Sequence, residues 1–201
     1  MTRLRTTLTI VITLGILANA LCASALAQGS YTYSFQREAV PGPEVYTHKR
    51  EVFGQTIGVG SFREPEDLFV SSDNHVYVAD TGNNRIVILD EGLNLVRVLD
   101  GFEVNGAMQS FRSPRGLFVT DEGDLYVADY GNARVVVLDR QGEFVKFIEN
   151  PRDEELIPES FLFKPLKVVV DRSRRVYVIA EGVLEGFMEF DEYGVFSGFI
   201  G

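Results

Sequence analysis

The stretch Tyr77-Val78-Ala79-Asp80-Thr81-Gly82-Asn83-Asn84-Arg85-Ile86-Val87-Ile88-Leu89-Asp90 decides the fold. It returns almost letter for letter as Tyr126-Val127-Ala128-Asp129-Tyr130-Gly131-Asn132-Ala133-Arg134-Val135-Val136-Val137-Leu138-Asp139. A third, worn copy starts at Tyr177-Val178 and ends at Phe190-Asp191. In the strong copies two apolar, β-rich runs flank a Gly-Asn turn, so each predicts a hairpin. A further short apolar run on either side makes four strands, a to d, in each repeat. Four-stranded units recurring about every 50 residues are the signature of a propeller blade.

The spacing fixes the layout. The prolines Pro65, Pro114 and Pro165 are 49 and 51 residues apart, and Tyr77, Tyr126 and Tyr177 keep the same two intervals. Strands are expected at 68–70, 76–79, 85–89 and 93–99 in the first repeat. The second repeat supplies 117–119, 125–128, 134–138 and 144–148, and the third 168–170, 176–179, 187–190 and 196–200. The runs are short and bounded by Asp, Gly and Asn. The inner ones are nearly continuously apolar, as strands covered on both faces are. No helical periodicity follows residue 27, so the expected class is all-β. The blades are expected at 55–101, 102–150 and 151–201. Before them, 28–54 holds two strands, 31–35 and 45–53, separated by Pro41-Gly42-Pro43. The second of these, closing on Val52-Phe53-Gly54, is expected to be the last strand of a blade.

These motifs carry a resemblance. Phe-x-x-Pro at Phe62 and Phe111, then Leu-Phe-Val, an Asp/Gly turn and Tyr-Val-Ala-Asp-x-Gly-Asn-x-Arg-Ile/Val-x-Val-Leu-Asp resemble the NHL repeat over 62–201, twice strongly and once weakly. The resemblance implies a propeller, usually a closed ring of six blades. Members include enzymes, receptor domains and interaction platforms, so the motif specifies fold rather than function. Three blades make an open arc, half of a six-bladed ring, with two blade faces bare. Burying an apolar side chain contributes roughly 1.5–3 kcal/mol, so two bare faces cost about as much as a domain's whole net stability of ~5–15 kcal/mol. Either the sequence is part of a longer chain, which the strand at 45–53 favours, or two chains close the ring as a dimer.

The first 27 residues have the form of a secretory signal peptide. Arg3 and Arg5 precede an uncharged apolar run from Leu8 to Leu21, and Ala25-Leu26-Ala27 offers a cleavage site. The chain is therefore expected to be exported, secreted or held at the cell envelope. It is membrane-anchored only if the leader is retained. Cys22 is the sole cysteine and lies in the leader, so thiolate chemistry is not expected of the exported protein. Without the leader, 17 basic residues face 29 acidic ones, a net charge of −12. Such a surface repels phosphate backbones, which argues against nucleic acid as a partner.

In a four-stranded meander, loops a–b and c–d lie on one face. Loops b–c and the blade-to-blade connectors lie on the other. The short turns fall on the first face. The Gly-Asn loops and the long connectors at 100–113 and 149–164 share the second, where a binding site is expected. The candidate ligand-face residues are Asp80, Asn83, Arg85, Asp129, Asn132, Arg134, Glu181 and Glu185. The first six repeat at equal spacing in two blades, as turn structure does. There the Asp accepts amides of its own turn, Gly82 and Gly131 take positive φ, and the Arg pairs with a neighbouring Asp. Ala180 replaces that Asp in the third repeat, and Glu181 and Glu185 flank a longer loop that could meet a cation or a sugar hydroxyl. Arg63, Arg112 and Arg115 flank the marker prolines. His48 and His75 lack the partners of a zinc site.

The expected function is a non-catalytic, exported propeller that binds a protein, a peptide or a cell-envelope glycan, without an identified cofactor. The alternative, implied by the resemblance, is a Ca²⁺- or Zn²⁺-dependent lactonase-like hydrolase or lyase whose site other blades complete. No Gly-x-Ser-x-Gly, His-Glu-x-x-His or phosphate loop is present.

Overall fold

The computed structural model describes residues 31–33, 35–41, 50–152, 156–158 and 160–201. The expected leader at 1–27 lies outside the described residues. Among those described, no helix is long and apolar enough to cross a membrane. The chain divides into two compact units, 1–51 and 52–201.

In the first unit β1 (Tyr31–Tyr33) pairs antiparallel with β2 (Ala39–Pro41), Tyr31 opposite Pro41. The strand expected at 45–53 falls mostly outside the described residues, and its described end, 50–53, forms no strand. The Phe53 carbonyl accepts the Thr56 amide at 2.9 Å and the Thr56 hydroxyl at 2.7 Å. That turn takes up the carbonyl a blade strand would offer its neighbour.

The second unit holds three four-stranded antiparallel sheets, each a simple meander. Blade 1 is β3 (Asp67–Val70), β4 (Val76–Asp80), β5 (Arg85–Leu89) and β6 (Leu95–Leu99). A two-stranded hairpin follows, β7 (Gly101–Val104) and β8 (Ala107–Ser110). Blade 2 is β9 (Pro114–Val119), β10 (Leu125–Asp129), β11 (Arg134–Leu138) and β12 (Phe144–Ile148). Blade 3 is β13 (Pro165–Val170), β14 (Val176–Ala180), β15 (Phe187–Phe190) and β16 (Phe196–Ile200). Tyr77, Tyr126 and Tyr177 occupy one rung in all three, opposite Phe69, Phe118 and Val169. The third and fourth strands of every blade slip register at one matching place, before Leu89, Leu138 and Phe190. Such a bulge sharpens strand twist.

Side chains alternate across a strand, and this explains the unbroken apolar runs of blade 2. Leu125, Val127, Val136 and Leu138 face blade 1, forming one core with Ile86, Ile88 and Leu99. Tyr126, Val135 and Val137 face blade 3, forming a second core with Val168, Val176 and Val178. Each residue of 125–127 and 135–138 serves one core or the other, so none of these has to be polar.

The first strands of the blades approach most closely. A Cβ on Gly116 of β9 would lie 2.6 Å from the Leu166 carbonyl oxygen and 2.8 Å from the Lys167 Cα of β13. Only a glycine lets the backbones meet there. Asp67 of β3 ties all three blades together. Its Oδ2 accepts the Leu117 amide of blade 2 at 2.8 Å, and its Oδ1 pairs with Lys167 of blade 3 at 2.5 Å. The result is an open arc of three blades with their first strands on the inside.

The connector at 100–113, expected as a loop, is instead the β7–β8 hairpin. Asn105 and Gly106 both take positive φ, 51° and 84°, as a two-residue type I′ turn requires. The hairpin is part of the hydrophobic core. Phe102 is buried against Phe111, Phe144 and Phe147, with ring centroids 5.3, 5.9 and 6.0 Å away.

Candidate functional site

The Gly-Asn turns of blades 1 and 2 are short 3-10 turns, Thr81–Asn83 and Tyr130–Asn132. Each leaves through a left-handed residue, Asn84 at φ 55° and Ala133 at φ 57°. Gly82 and Gly131 do not take positive φ, contrary to expectation, and are needed for space. The Gly82 amide donates to the Arg63 carbonyl at 2.8 Å, and the Gly131 amide to the Arg112 carbonyl at 2.7 Å. A Cβ on either glycine would lie 2.8 or 2.6 Å from that same oxygen.

The repeated polar trio does come together. Asp80 is fully buried; its Oδ1 accepts the Arg63 amide at 2.7 Å, and its Oδ2 accepts Asn83 Nδ2 at 2.9 Å and Arg85 Nε at 2.7 Å. Asp129 is equally buried and accepts the Arg112 amide at 2.7 Å, Asn132 Nδ2 at 2.9 Å and Arg134 Nε at 3.0 Å. The carboxylates accept amides of the incoming connector, 17 residues earlier, rather than amides of their own turn. Asn83 and Asn132 extend the grip to the carbonyls of Ser61 and Ser110. Each trio is thus a knot fastening the connector to the blade it enters. The surroundings of the two arginines differ. Arg134 also donates to Gln109 Oε1 at 2.6 Å and stacks 4.3 Å from the Phe147 ring centre. The outer nitrogen Nη2 of Arg85 is buried without a hydrogen-bond partner.

Between blades 2 and 3 the second face changes character. Where blade 1 has the buried Thr81, which donates to the Pro114 carbonyl at 2.7 Å, blade 2 has the half-buried Tyr130. The Arg115 guanidinium lies 3.9 Å from the Tyr130 ring centre and the Lys164 ammonium 5.0 Å from it. The Tyr130 hydroxyl donates to Glu181 Oε2 at 2.5 Å. Glu66 closes the cluster with an ion pair to Arg115 at 3.3 Å. The hydrogen bond to Glu181, then burial, push the Tyr130 phenol above its ordinary value. Glu185 accepts the backbone amide of Leu184, whose side chain is almost wholly exposed. Arg115 therefore has a partner here, while Arg63 and Arg112 enter the knots through their backbones.

A cavity of about 530 Å³ opens on the first face, away from the loops singled out from the sequence. Phe69 and Phe118, 5.1 Å apart, line it with the a–b turn residues Asp121, Glu122, Arg172 and Arg174. On the same face Asp73 accepts the Ser71 hydroxyl at 2.5 Å and pairs with Arg140 at 3.0 Å; the Ser71 bond above all holds its carboxyl below the ordinary value. His75 Nδ1 lies 3.2 Å from Asp73. Among the described residues no group of three or more His, Cys, Asp or Glu is gathered as a metal site would need.

The segments 62–89 and 111–138 match the NHL repeat. Each match runs from just before the first strand of a blade to the end of its third. Blades 1 and 2 are NHL repeats. The third blade lies outside both matches, consistent with its loss of the Asp-Asn-Arg knot. No curated protein matches the chain by sequence. Among solved structures, hydrazine synthase from Kuenenia stuttgartiensis is similar at 14% identity and a TM-score of 0.52, over 76% of this chain and 38% of that one. Virginiamycin B lyase from Staphylococcus aureus is similar at 12% identity and a TM-score of 0.45, over 83% of this chain and 46% of that one. Dihydro-heme d1 dehydrogenase NirN is similar at 19% identity and a TM-score of 0.49, over 66% and 26%. The first likeness is one of fold. The chain spans less than half the length of each of these proteins. The NHL match falls on the knots and stops short of the loop holding Glu181 and Glu185.

Proposed function

We propose that this NHL-repeat arc is an exported binding module that takes a protein or peptide on its second face, at the junction of blades 2 and 3. The observation that carries the reading is the replacement of buried Thr81 by Tyr130. Where the repeat elsewhere seals the junction, it here presents an aromatic ring between two cations and a carboxylate. Tyr and Arg are the residue types on which binding energy concentrates. Leu184, on the same loop as Glu181, adds an exposed apolar side chain. The polar groups of Asp80 and Asp129 are all engaged inside their knots, which makes them supports for the face rather than contacts. Export follows from the charged start, apolar run and Ala25-Leu26-Ala27 of the leader.

The test is panning of a displayed random-peptide library on the immobilised chain, followed by affinity measurement for the selected peptides. Tyr130→Ala is expected to weaken them at least about 30-fold, the loss of one binding hot spot. Leu184→Ser is expected to weaken them less. Peptides indifferent to both changes would place the site elsewhere. Absence of any binder, with turnover of a lactone or cyclic peptide upon adding Ca²⁺ or Zn²⁺, would select the hydrolase or lyase reading.

A further inference from the structure

The cavity on the first face has walls of opposite charge. The a–b turn of blade 2 gives it Asp121 and Glu122, and the a–b turn of blade 3 gives it Arg172 and Arg174. The half-buried rings of Phe69 and Phe118 line it as well.

The blade 3 turn departs from its two counterparts. All three turns close by the same hydrogen bond, from the amides of Asn74, Gly123 and Arg174 to the carbonyls of Ser71, Thr120 and Asp171, at 2.9, 3.0 and 3.0 Å. All three donors take positive φ, 63°, 99° and 63°. Asparagine and glycine tolerate that conformation, whereas a long side chain holds it at a cost. The turn itself does not need the arginine side chain. It is shaped by Asp171, whose Oδ1 accepts the Ser173 and Arg175 amides at 2.8 and 3.0 Å. A strained residue that does nothing for its own turn directs attention to what its side chain meets outside it.

Arg175, the third arginine of this turn, is engaged by Asp171 at 2.8 Å and Glu189 at 3.5 Å. Arg172 and Arg174 are exposed, and among the described residues their side chains make no hydrogen bond or ion pair. Hydrogen bonds from its own backbone amide and from Thr120, and then the Arg174 charge, hold the Glu122 carboxyl below its ordinary value. Opposite charges thus feel each other across the cavity without meeting.

We propose that this cavity binds a short free peptide of two or three residues, its C-terminal carboxylate on Arg172 and Arg174 and its N-terminal ammonium on Asp121 and Glu122. A carboxylate meets a guanidinium through paired charge-assisted hydrogen bonds, and an ammonium offers three donors to carboxylates. An apolar side chain of the peptide lies against Phe69 and Phe118. The length follows from the space. A sphere of 530 Å³ is about 10 Å across, and two or three extended residues span roughly 7–11 Å. The site lies on the face opposite Tyr130 and is independent of it.

The experiment is isothermal titration calorimetry of the full chain with leucyl-phenylalanine, its N-acetyl form and its C-terminal amide. The free dipeptide is expected to bind saturably, and each blocked form at least about tenfold more weakly, the loss of one charge-assisted contact. Arg172→Ser/Arg174→Asn gives blade 3 the residues that blade 1 has at Ser72 and Asn74, so the turn keeps its shape, which thermal unfolding monitored by circular dichroism checks. This variant is expected to erase the advantage of the free dipeptide over the amide and to keep its advantage over the N-acetyl form. Asp121→Asn/Glu122→Gln is expected to do the reverse. No saturable binding up to millimolar dipeptide overturns the proposal. So do blocked forms that bind as well as the free one to the unaltered chain, or variants that weaken all three peptides alike.

Discussion

Removing the Asp129 carboxylate should unfasten the connector from blade 2, and the structure sets the size of the effect. Asp129→Ala takes the acceptor from three donors at once: the Arg112 amide, Asn132 Nδ2 and Arg134 Nε, all within 3.0 Å. Breaking a buried ion pair by deleting one partner costs about 3–5 kcal/mol, chiefly because the other charge is stranded. Arg134 is not wholly stranded, since it keeps Gln109 and the face of Phe147. The lower end, about 3 kcal/mol, is therefore expected, a fall in Tm of about 6–12 °C for a chain of this size. Asp80→Ala should cost more, toward about 5 kcal/mol, because Arg85 already has a buried nitrogen without a partner. The chain has no tryptophan, so far-UV circular dichroism in urea is the assay. Were these carboxylates poised for a ligand instead, their removal would relieve a buried charge and leave stability unchanged or raised. A loss below about 1 kcal/mol in both variants, the size of one ordinary hydrogen bond, would refute the knot.

Other substitutions separate space from conformation. Gly131→Ala drives a Cβ to within 2.6 Å of the Arg112 carbonyl oxygen and should destabilise by about 1–3 kcal/mol, seen in the same denaturation. Ala133→Gly should stabilise by about 1 kcal/mol, because Ala133 holds a left-handed conformation at φ 57° that costs a residue with a Cβ that much. Tyr130 gives a pH dependence. Its folded pKa is raised above the unfolded value of about 10, so its contribution is complete below that pH and lost as pH rises through the folded value. The stability gap between the natural chain and Tyr130→Phe should close in strong alkali. In Glu181→Gln the phenol should titrate lower, measured by tyrosinate absorbance against the Tyr130→Phe background.

The blades were legible because each inner strand must bury both faces, which forces the apolar run, and because the repeat shows which runs correspond. The meeting of Asp80, Asn83 and Arg85 was legible for the same reason. Their partners were not. The amides of Arg63 and Arg112 come from irregular connectors, whose path a strand pattern does not encode. The role of Gly82 was not legible, because a glycine required by a nearby carbonyl looks, in sequence, like one required by positive φ. The β7–β8 hairpin could have been found: Asn105-Gly106 between Phe102-Glu103-Val104 and Ala107-Met108 is a strong hairpin signal. Tyr130 also left a trace, as one of the few letters that differ between the two strong copies. Asp67 left none, since a single acid before a strand does not announce that it will bridge three sheets.

Native-state hydrogen exchange at two loop amides, Arg63 and Arg112, tests the fastening most directly. Both sit outside any strand, yet each donates to a fully buried carboxylate at 2.7 Å. They should exchange as slowly as Val127 and Val136 in the centre of blade 2, opening only when the blade does. Exchange at the rate of an exposed loop would mean that Asp80 and Asp129 do not hold the connectors, and the knots would lose their role.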